Sequence, residues 1–199
     1  MKKIISRFVV VFSLAAFLLI GTASIAPAQQ AGPFYVGVFG AFVMPEDLEM
    51  EHESDISLDD SWAVGVKGGY IIPQVKFLAV ELEYTYMGEQ DFDEPNRDGN
   101  ISSNNFMANI LFRYPEGKIH PYVGAGLGLS RASIENNINH EDDDDTAFAS
   151  QFIAGVNFEL APNLSAELAY KYFYSEYEFD GDDTEAGSHL FQVGLNYHF

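Results

Sequence analysis

The chain has 199 residues and a formal net charge of −20 at pH 7, with 30 acidic against 10 basic side chains and no cysteine. So negative a chain is not expected to bind nucleic acid, because lysine and arginine must neutralise the phosphates. Without cysteine, no disulfide framework can hold the fold.

The first 28 residues have the three-part pattern of a secretory signal peptide. Lys2, Lys3 and Arg7 precede the apolar run Phe8–Ile20, and Ala-Pro-Ala at 26–28 forms a small-residue cleavage site. The apolar run is shorter than the ~20 residues of a membrane-spanning helix. We predict a cleavable signal peptide at 1–28 and a mature domain at 29–199; an uncleaved anchor is the alternative.

Eight runs of alternating apolar and small or polar residues follow, and period-two alternation is the pattern of β-strands. Each run is close to the ~9–11 residues of a tilted strand that crosses a bilayer. In chain order they are PFYVGVFGAFV (33–43), SWAVGVKGGYI (61–71), FLAVELEYTYM (77–87), NNFMANILFRY (104–114), HPYVGAGLGLSR (120–131), AFASQFIAGVNF (147–158), LSAELAYKYFY (164–174) and SHLFQVGLNYHF (188–199).

The connections between these runs alternate in length and charge. Three are short: Ile72–Lys76, Pro115–Lys118 and Leu160–Asn163. Four are long and acidic, at about 44–60, 88–103, 132–146 and 176–187. An antiparallel strand order places all the acidic connections at one end, which is the asymmetry of transmembrane barrels with short periplasmic turns and long extracellular loops. We therefore predict an all-β, eight-stranded antiparallel transmembrane β-barrel.

The two faces of each run differ in a way that suits a membrane barrel. One face is apolar with aromatic residues near its ends, whereas the other is small, polar or charged. If the second face lines the lumen, its charged residues balance and can pair in a network. A soluble sandwich with these charges in water is the alternative, but it leaves the aromatic ends and the one-sided acidity unexplained. The predicted lumen network consists of Lys67, Glu81, Glu83, Arg113, Glu167 and Lys171.

The segments FYVGVFGAF, HPYVGAGLGLS and the terminal FQVGLNYHF resemble the small eight-stranded outer-membrane β-barrel proteins of the OmpA-like and OmpX-like type. The resemblance implies the outer membrane of a Gram-negative bacterium, with outer-membrane lipid and lipopolysaccharide as surroundings. It also implies biogenesis by periplasmic chaperones and the barrel-assembly machinery, which would read Tyr197 and Phe199 as an assembly signal. We expect a monomer.

Fold does not give function, and a small barrel of this kind allows an enzyme, a channel or a surface interaction module. A lipid A-modifying enzyme of the acyl hydrolase or transferase type would need a set such as Ser188 and His189, but adjacent residues of a strand point to opposite faces. We therefore predict no enzyme and keep that activity as the alternative. A diffusion channel is disfavoured because an eight-stranded lumen is just filled by side chains.

The prediction is a structural or cell-surface interaction role exerted through the acidic extracellular loops, without a resident cofactor. Clustered carboxylates attract divalent cations, and Ca²⁺ takes 6–8 oxygen ligands. A solvated acidic coat is the alternative reading. The candidate Ca²⁺ ligands are Asp142, Asp143, Asp144, Asp145, Asp180, Asp182 and Asp183.

Overall fold

The computed structural model describes residues 32–46, 60–91, 99–136, 142–179 and 182–199. The predicted signal peptide lies outside them. The strands are β1 (Phe34–Pro45), β2 (Ser61–Ile71), β3 (Leu78–Asp91), β4 (Gly99–Arg113), β5 (Ile119–Asn136), β6 (Asp142–Ala161), β7 (Leu164–Phe179) and β8 (Asp182–His198). Each pairs antiparallel with the next, and β8 pairs with β1 to close the barrel. The predicted eight-stranded antiparallel barrel is confirmed.

No helix in the described part of the chain is long and apolar enough to cross a bilayer.

The strands extend beyond the predicted runs and into the acidic segments. The ladders of β3 with β4, β5 with β6, and β7 with β8 continue through most of 88–103, 132–146 and 176–187. Acidic side chains do not interrupt a ladder, because its bonds join main-chain groups of the two strands. The hairpin ends 92–98, 137–141 and 180–181, and the connection 47–59, lie outside the described residues.

The connections at the opposite end are short, as predicted, and span 72–77, 114–118 and 162–163. Gly117 in the second of them has φ of 79°. This is a left-handed conformation that glycine adopts without steric cost.

Burial is the reverse of that in a soluble protein. Leu82 and Phe152 on the outside are 70% and 65% exposed, whereas Lys171 and Asn109 on the inside are each 2% exposed. An apolar outside and a polar inside are the arrangement of a barrel surrounded by lipid. The soluble sandwich is therefore the wrong alternative for this chain.

Aromatic side chains pair near both ends of the barrel. Trp62 and Tyr86 lie 5.8 Å apart between ring centroids towards the acidic end. Towards the short-turn end the ring centroid of Phe34 lies 4.6 Å from that of Tyr70 and 6.2 Å from that of Phe199. Such girdles mark the two interfaces between membrane and water.

Inward glycines make room for large side chains in the narrow lumen. A Cβ at Gly126 would overlap the amide of Asn109, and one at Gly69 would overlap the ring of Tyr35. The predicted inward row of Gly124, Gly126 and Gly128 thus faces side chains of the neighbouring strand β4. Small and large residues alternate across the lumen because a tight barrel cannot hold large ones at every inward position.

Two apolar clusters fill the lumen above and below a polar layer. Lys67 lies along β2 between Ala63 of the cluster near the acidic end and Ile71, which packs on the cluster near the short turns. Glu81 and Glu83 lie in the same way between two cluster members, Ala79 and Met87, of β3. The first cluster contains Ala41, Val43, Ala63, Met87, Met107, Ala149, Phe173 and Leu190, and the second contains Ala79, Leu111, Tyr122, Ile153 and Ala169.

Candidate functional site

The polar layer of the lumen contains a three-residue charge cluster. Lys67 Nζ donates to Glu167 Oε1 at 2.6 Å and to Oε2 at 2.8 Å. The same ammonium lies 3.3 Å from Glu81 Oε2. All three side chains are only 2% exposed, so water screens these charges very little.

A second, separate pair joins Lys171 to Glu83. Lys171 Nζ lies 2.6 Å from Glu83 Oε2, and the two side chains are 2% and 1% exposed. The ammonium also lies 4.5 Å from the centroid of the Phe39 ring, within cation–π range. The Thr85 hydroxyl donates to Glu83 Oε1 at 3.1 Å. This pair balances its own charge.

Neutral side chains complete the hydrogen bonding of Glu167. Gln192 Nε2 donates to Oε1 at 2.6 Å, and Asn196 Nδ2 donates to Oε2 at 3.0 Å. Buried carboxylates need such donors, because leaving a charged group unsatisfied is costly. Gln192 and Asn196 were not among the predicted site residues, although their inward positions on β8 follow from period two.

Glu81 has its own neutral donors. The Tyr35 hydroxyl donates to Oε2 at 2.8 Å, and Asn109 Nδ2 donates to Oε1 at 3.1 Å. Gln151 in turn donates to Asn109 Oδ1 at 2.8 Å. The polar layer therefore connects residues of β1, β2, β3, β4, β6, β7 and β8 across the lumen.

Arg113 takes no part in these contacts. It lies half-buried at the end of β4, and none of the ion pairs among the described residues includes it. The structure thus brings together five of the six predicted residues and leaves Arg113 near the short-turn end. Position on the strand sets this difference, since Arg113 is the last residue of β4.

The aspartates predicted as Ca²⁺ ligands lie at the acidic end. Asp142–Asp145 are the first four residues of β6, and their main chain pairs with β5. Asp182 and Asp183 begin β8, whereas Asp180 lies outside the described residues. The structure does not describe the side chains of Asp142–Asp145, Asp182 and Asp183. Among the side chains that it does describe, no group of three or more His, Asp and Glu could hold a metal ion. The Ca²⁺ site stays a prediction.

At the acidic end of β8, the side chain of His189 contacts residues other than the adjacent Ser188. The Tyr170 hydroxyl lies 2.7 Å from His189 Nδ1, and His189 Nε2 lies 3.0 Å from Glu46 Oε1. Both ring nitrogens are therefore occupied by partners other than Ser188. The adjacent serine and histidine do not form a nucleophile and base pair in this arrangement.

The terminal aromatic residues face outwards at the short-turn end. Tyr197 and Phe199 are 40% and 60% exposed. The Phe199 amide donates to the Phe34 carbonyl at 2.9 Å, which ties the last residue to the first strand.

Comparison with known proteins agrees with this geometry. The family model described as "Outer membrane protein beta-barrel domain" matches residues 13–199. Outer membrane protein A of Salmonella typhi is 22% identical over 194 residues, which cover 93% of this chain and 55% of that protein. The relative in Shigella flexneri gives the same identity and coverage. The chain thus spans about half the length of these relatives.

Solved structures share the fold. Neisserial surface protein A is 21% identical with a TM-score of 0.62, and the match covers 86% of this chain and 100% of that one. Ail, the attachment invasion locus protein of Yersinia pestis, is 16% identical with a TM-score of 0.53, over 84% and 99% of the two chains. The apolar exterior, the closed eight-stranded topology and the family match lead to one conclusion: the chain belongs to the outer membrane protein β-barrel domain family of Gram-negative bacteria.

Proposed function

We propose that this barrel is a plugged outer-membrane anchor that presents acidic hairpins for structural or cell-surface interactions. The observation that carries the proposal is the filled lumen, in which buried ion pairs lie between two apolar clusters. A barrel so filled leaves no continuous water path for solutes. Function then resides at the acidic end of the strands.

The charge at that end limits the class of partner. Outside the four acidic connections the sequence has only five acids, Glu81, Glu83, Glu116, Glu159 and Glu167. An acidic surface repels the phosphates of lipopolysaccharide unless divalent cations lie between them. We propose that Ca²⁺ at Asp142–Asp145, Asp180, Asp182 and Asp183 bridges the hairpins to these phosphates.

A polyanionic partner does not suit this chain. Ail of Yersinia pestis has been solved in complex with the heparin analogue sucrose octasulfate. A sulfated sugar would be repelled by clustered aspartates, since like charges brought together without counterions cost free energy. A basic or cation-bridged partner is favoured instead.

Calorimetric titration of the purified barrel with Ca²⁺ at about 0.15 M salt tests this proposal, because diffuse attraction is largely screened there. Saturable binding should be lost when Asp142–Asp145 are changed together to Asn. The matched control changes Glu116 and Glu159, at the opposite end, to Gln and should bind as before. Absence of saturable heat in the unaltered protein would refute a specific Ca²⁺ site.

A second measurement tests the bridging role. Sedimentation with vesicles containing lipopolysaccharide should increase on adding Ca²⁺, whereas vesicles of phosphatidylcholine should show no such increase. Equal sedimentation with and without Ca²⁺ would contradict cation bridging even if the protein binds the ion.

We also propose that Tyr197 and Phe199 serve as the assembly signal for the barrel-assembly machinery, after delivery by periplasmic chaperones, and that the barrel is a monomer. The exposure of both terminal rings on the outer surface supports this proposal, because a partner can reach them there.

A further inference from the structure

The charge cluster of Lys67, Glu81 and Glu167 is not balanced by its own members. One ammonium lies between two carboxylates, so the cluster has one negative charge in excess. The nearby Lys171 is engaged with Glu83 at 2.6 Å and completes a neutral pair of its own. An uncompensated charge buried away from water is costly. The cluster thus lacks one positive charge.

Two buried oxygens beside Glu167 also lack partners. Gln192 and Asn196 are each 2% exposed, and their amide nitrogens donate to the two oxygens of Glu167. The carbonyl oxygens of the same amides, Gln192 Oε1 and Asn196 Oδ1, have no hydrogen-bond partner among the described residues. Buried acceptors of this kind are nearly always satisfied by a donor or a cation. Both orphan oxygens belong to the group that surrounds the unbalanced carboxylates.

The main chain of β1 comes close to the orphan oxygen of Asn196 at Gly37. Gly37 of β1 pairs with Lys67 on one side and with Asn196 on the other. A Cβ at Gly37 would overlap Asn196 Oδ1 and would lie 3.1 Å from Lys67 Cγ. A glycine within a strand often marks a place where another group approaches closely. The group that approaches Gly37 is the orphan oxygen of Asn196 itself, which therefore lies against the main chain of β1 near the stem of Lys67.

We propose that a single monovalent alkali cation, Na⁺ or K⁺, binds in the lumen beside Glu167, with Gln192 Oε1 and Asn196 Oδ1 among its ligands. One ion of this class supplies both missing elements, a positive charge and an electrophile for the two oxygens. A water molecule would satisfy the oxygens but not the charge. Ca²⁺ does not suit the site, because it would overcompensate one excess charge and takes 6–8 oxygen ligands.

Unfolding of the purified barrel in detergent tests the proposal. Unfolding midpoints are measured at one pH in about 0.15 M sodium chloride, potassium chloride or N-methyl-D-glucamine chloride. The three salts screen surface charge equally at the same ionic strength, but their cations differ in size. At least one alkali salt should stabilise the barrel relative to the bulky cation. At a concentration about tenfold above Kd, binding favours the folded state about 10-fold.

Two matched variants locate the effect. Glu81→Gln removes the excess charge and should abolish the difference between salts. The double variant Lys171→Met with Glu83→Gln removes the balanced pair whole, leaves the excess negative charge in place and should keep that difference, whatever its overall stability. If Glu81→Gln does not fold, Gln192→Leu removes one ligand oxygen without changing charge and should reduce the difference.

Diffraction from crystals soaked in Rb⁺ gives a direct readout. An anomalous peak next to the Glu167 carboxylate is expected. Equal unfolding midpoints of the unaltered protein in all three salts, together with no such peak, would overturn the proposal and would indicate that a proton or water completes the cluster. A salt difference that persists unchanged in Glu81→Gln would also overturn it, because the effect would then arise elsewhere, such as at the acidic hairpins.

Discussion

Replacing Lys171 with methionine should destabilise the barrel by about 3–5 kcal/mol, which is the usual cost of removing one partner of a buried ion pair. We expect the loss to lie at the upper end of this range because the partner of Lys171 is almost fully buried. Glu83, its partner at 2.6 Å, is 1% exposed and would keep the Thr85 hydroxyl at 3.1 Å as its remaining hydrogen-bond donor. Methionine fills a similar volume, so the loss reports charge rather than a cavity.

The double variant Lys171→Met with Glu83→Gln separates these contributions. Exchanging both charges of a buried pair for neutral groups of similar size is often neutral or stabilising by about 1–4 kcal/mol. The double variant should therefore recover most of the stability lost in Lys171→Met. Equilibrium unfolding in urea with lipid vesicles, followed by the fluorescence of Trp62 and by gel mobility, provides the free energies.

One result would refute the reasoning about the pair. The free energy of unfolding of Lys171→Met could lie within about 0.5 kcal/mol of that of the unaltered barrel, which is the usual effect of a surface substitution. In that case the charge of Glu83 is compensated by something other than Lys171. The same holds if the double variant is no more stable than the single one.

Three further predictions concern the barrel wall. Leu82→Arg, at the middle of the outer face, should lower the free energy of folding into vesicles by ~2–4 kcal/mol, whereas Tyr86→Arg near the interface should lower it by ~0–1 kcal/mol. Equal losses would contradict the assigned position of the membrane. Gly126→Val should abolish the heat-dependent shift in gel mobility that marks a folded barrel, because an inward side chain has no room at this position. The outward substitution Ala125→Val should keep the shift. A folded Gly126→Val barrel would contradict the packing of the lumen. Deleting the exposed residue Phe199 should lower the fraction of barrel assembled in cells more than it lowers the yield of refolding in detergent. Equal losses in both measurements would indicate a purely structural role.

The division of each strand into two faces could be read from the sequence, because successive side chains of a strand point to opposite sides whatever the strand pairs with. This alternation predicts that five charged residues share the inner face, and all five are buried inside the barrel: Lys67, Glu81, Glu83, Glu167 and Lys171. Strand count and the position of the acidic segments followed from the same alternation and from the lengths of the connections.

The extent of the hairpins could not be predicted in this way. Acidic residues favour loops by composition, but main-chain pairing of β5 with β6 continues from Ala132 opposite Asp145 to Glu135 opposite Asp142. Once a closed barrel fixes two strands side by side, extending their ladder adds hydrogen bonds without a further loop-closure cost.

Tertiary structure alone decided which charges meet. By register Lys67 lies opposite Glu83 on the neighbouring strand. Its ammonium nevertheless bonds Glu167, 100 residues further along the chain, and Glu83 bonds Lys171, 88 residues further along. The sequence by itself determined that these side chains share the inner face, since that follows from the period of a strand. Their partners depend on closure, because only a narrow closed barrel brings inward side chains of opposite walls within hydrogen-bond distance.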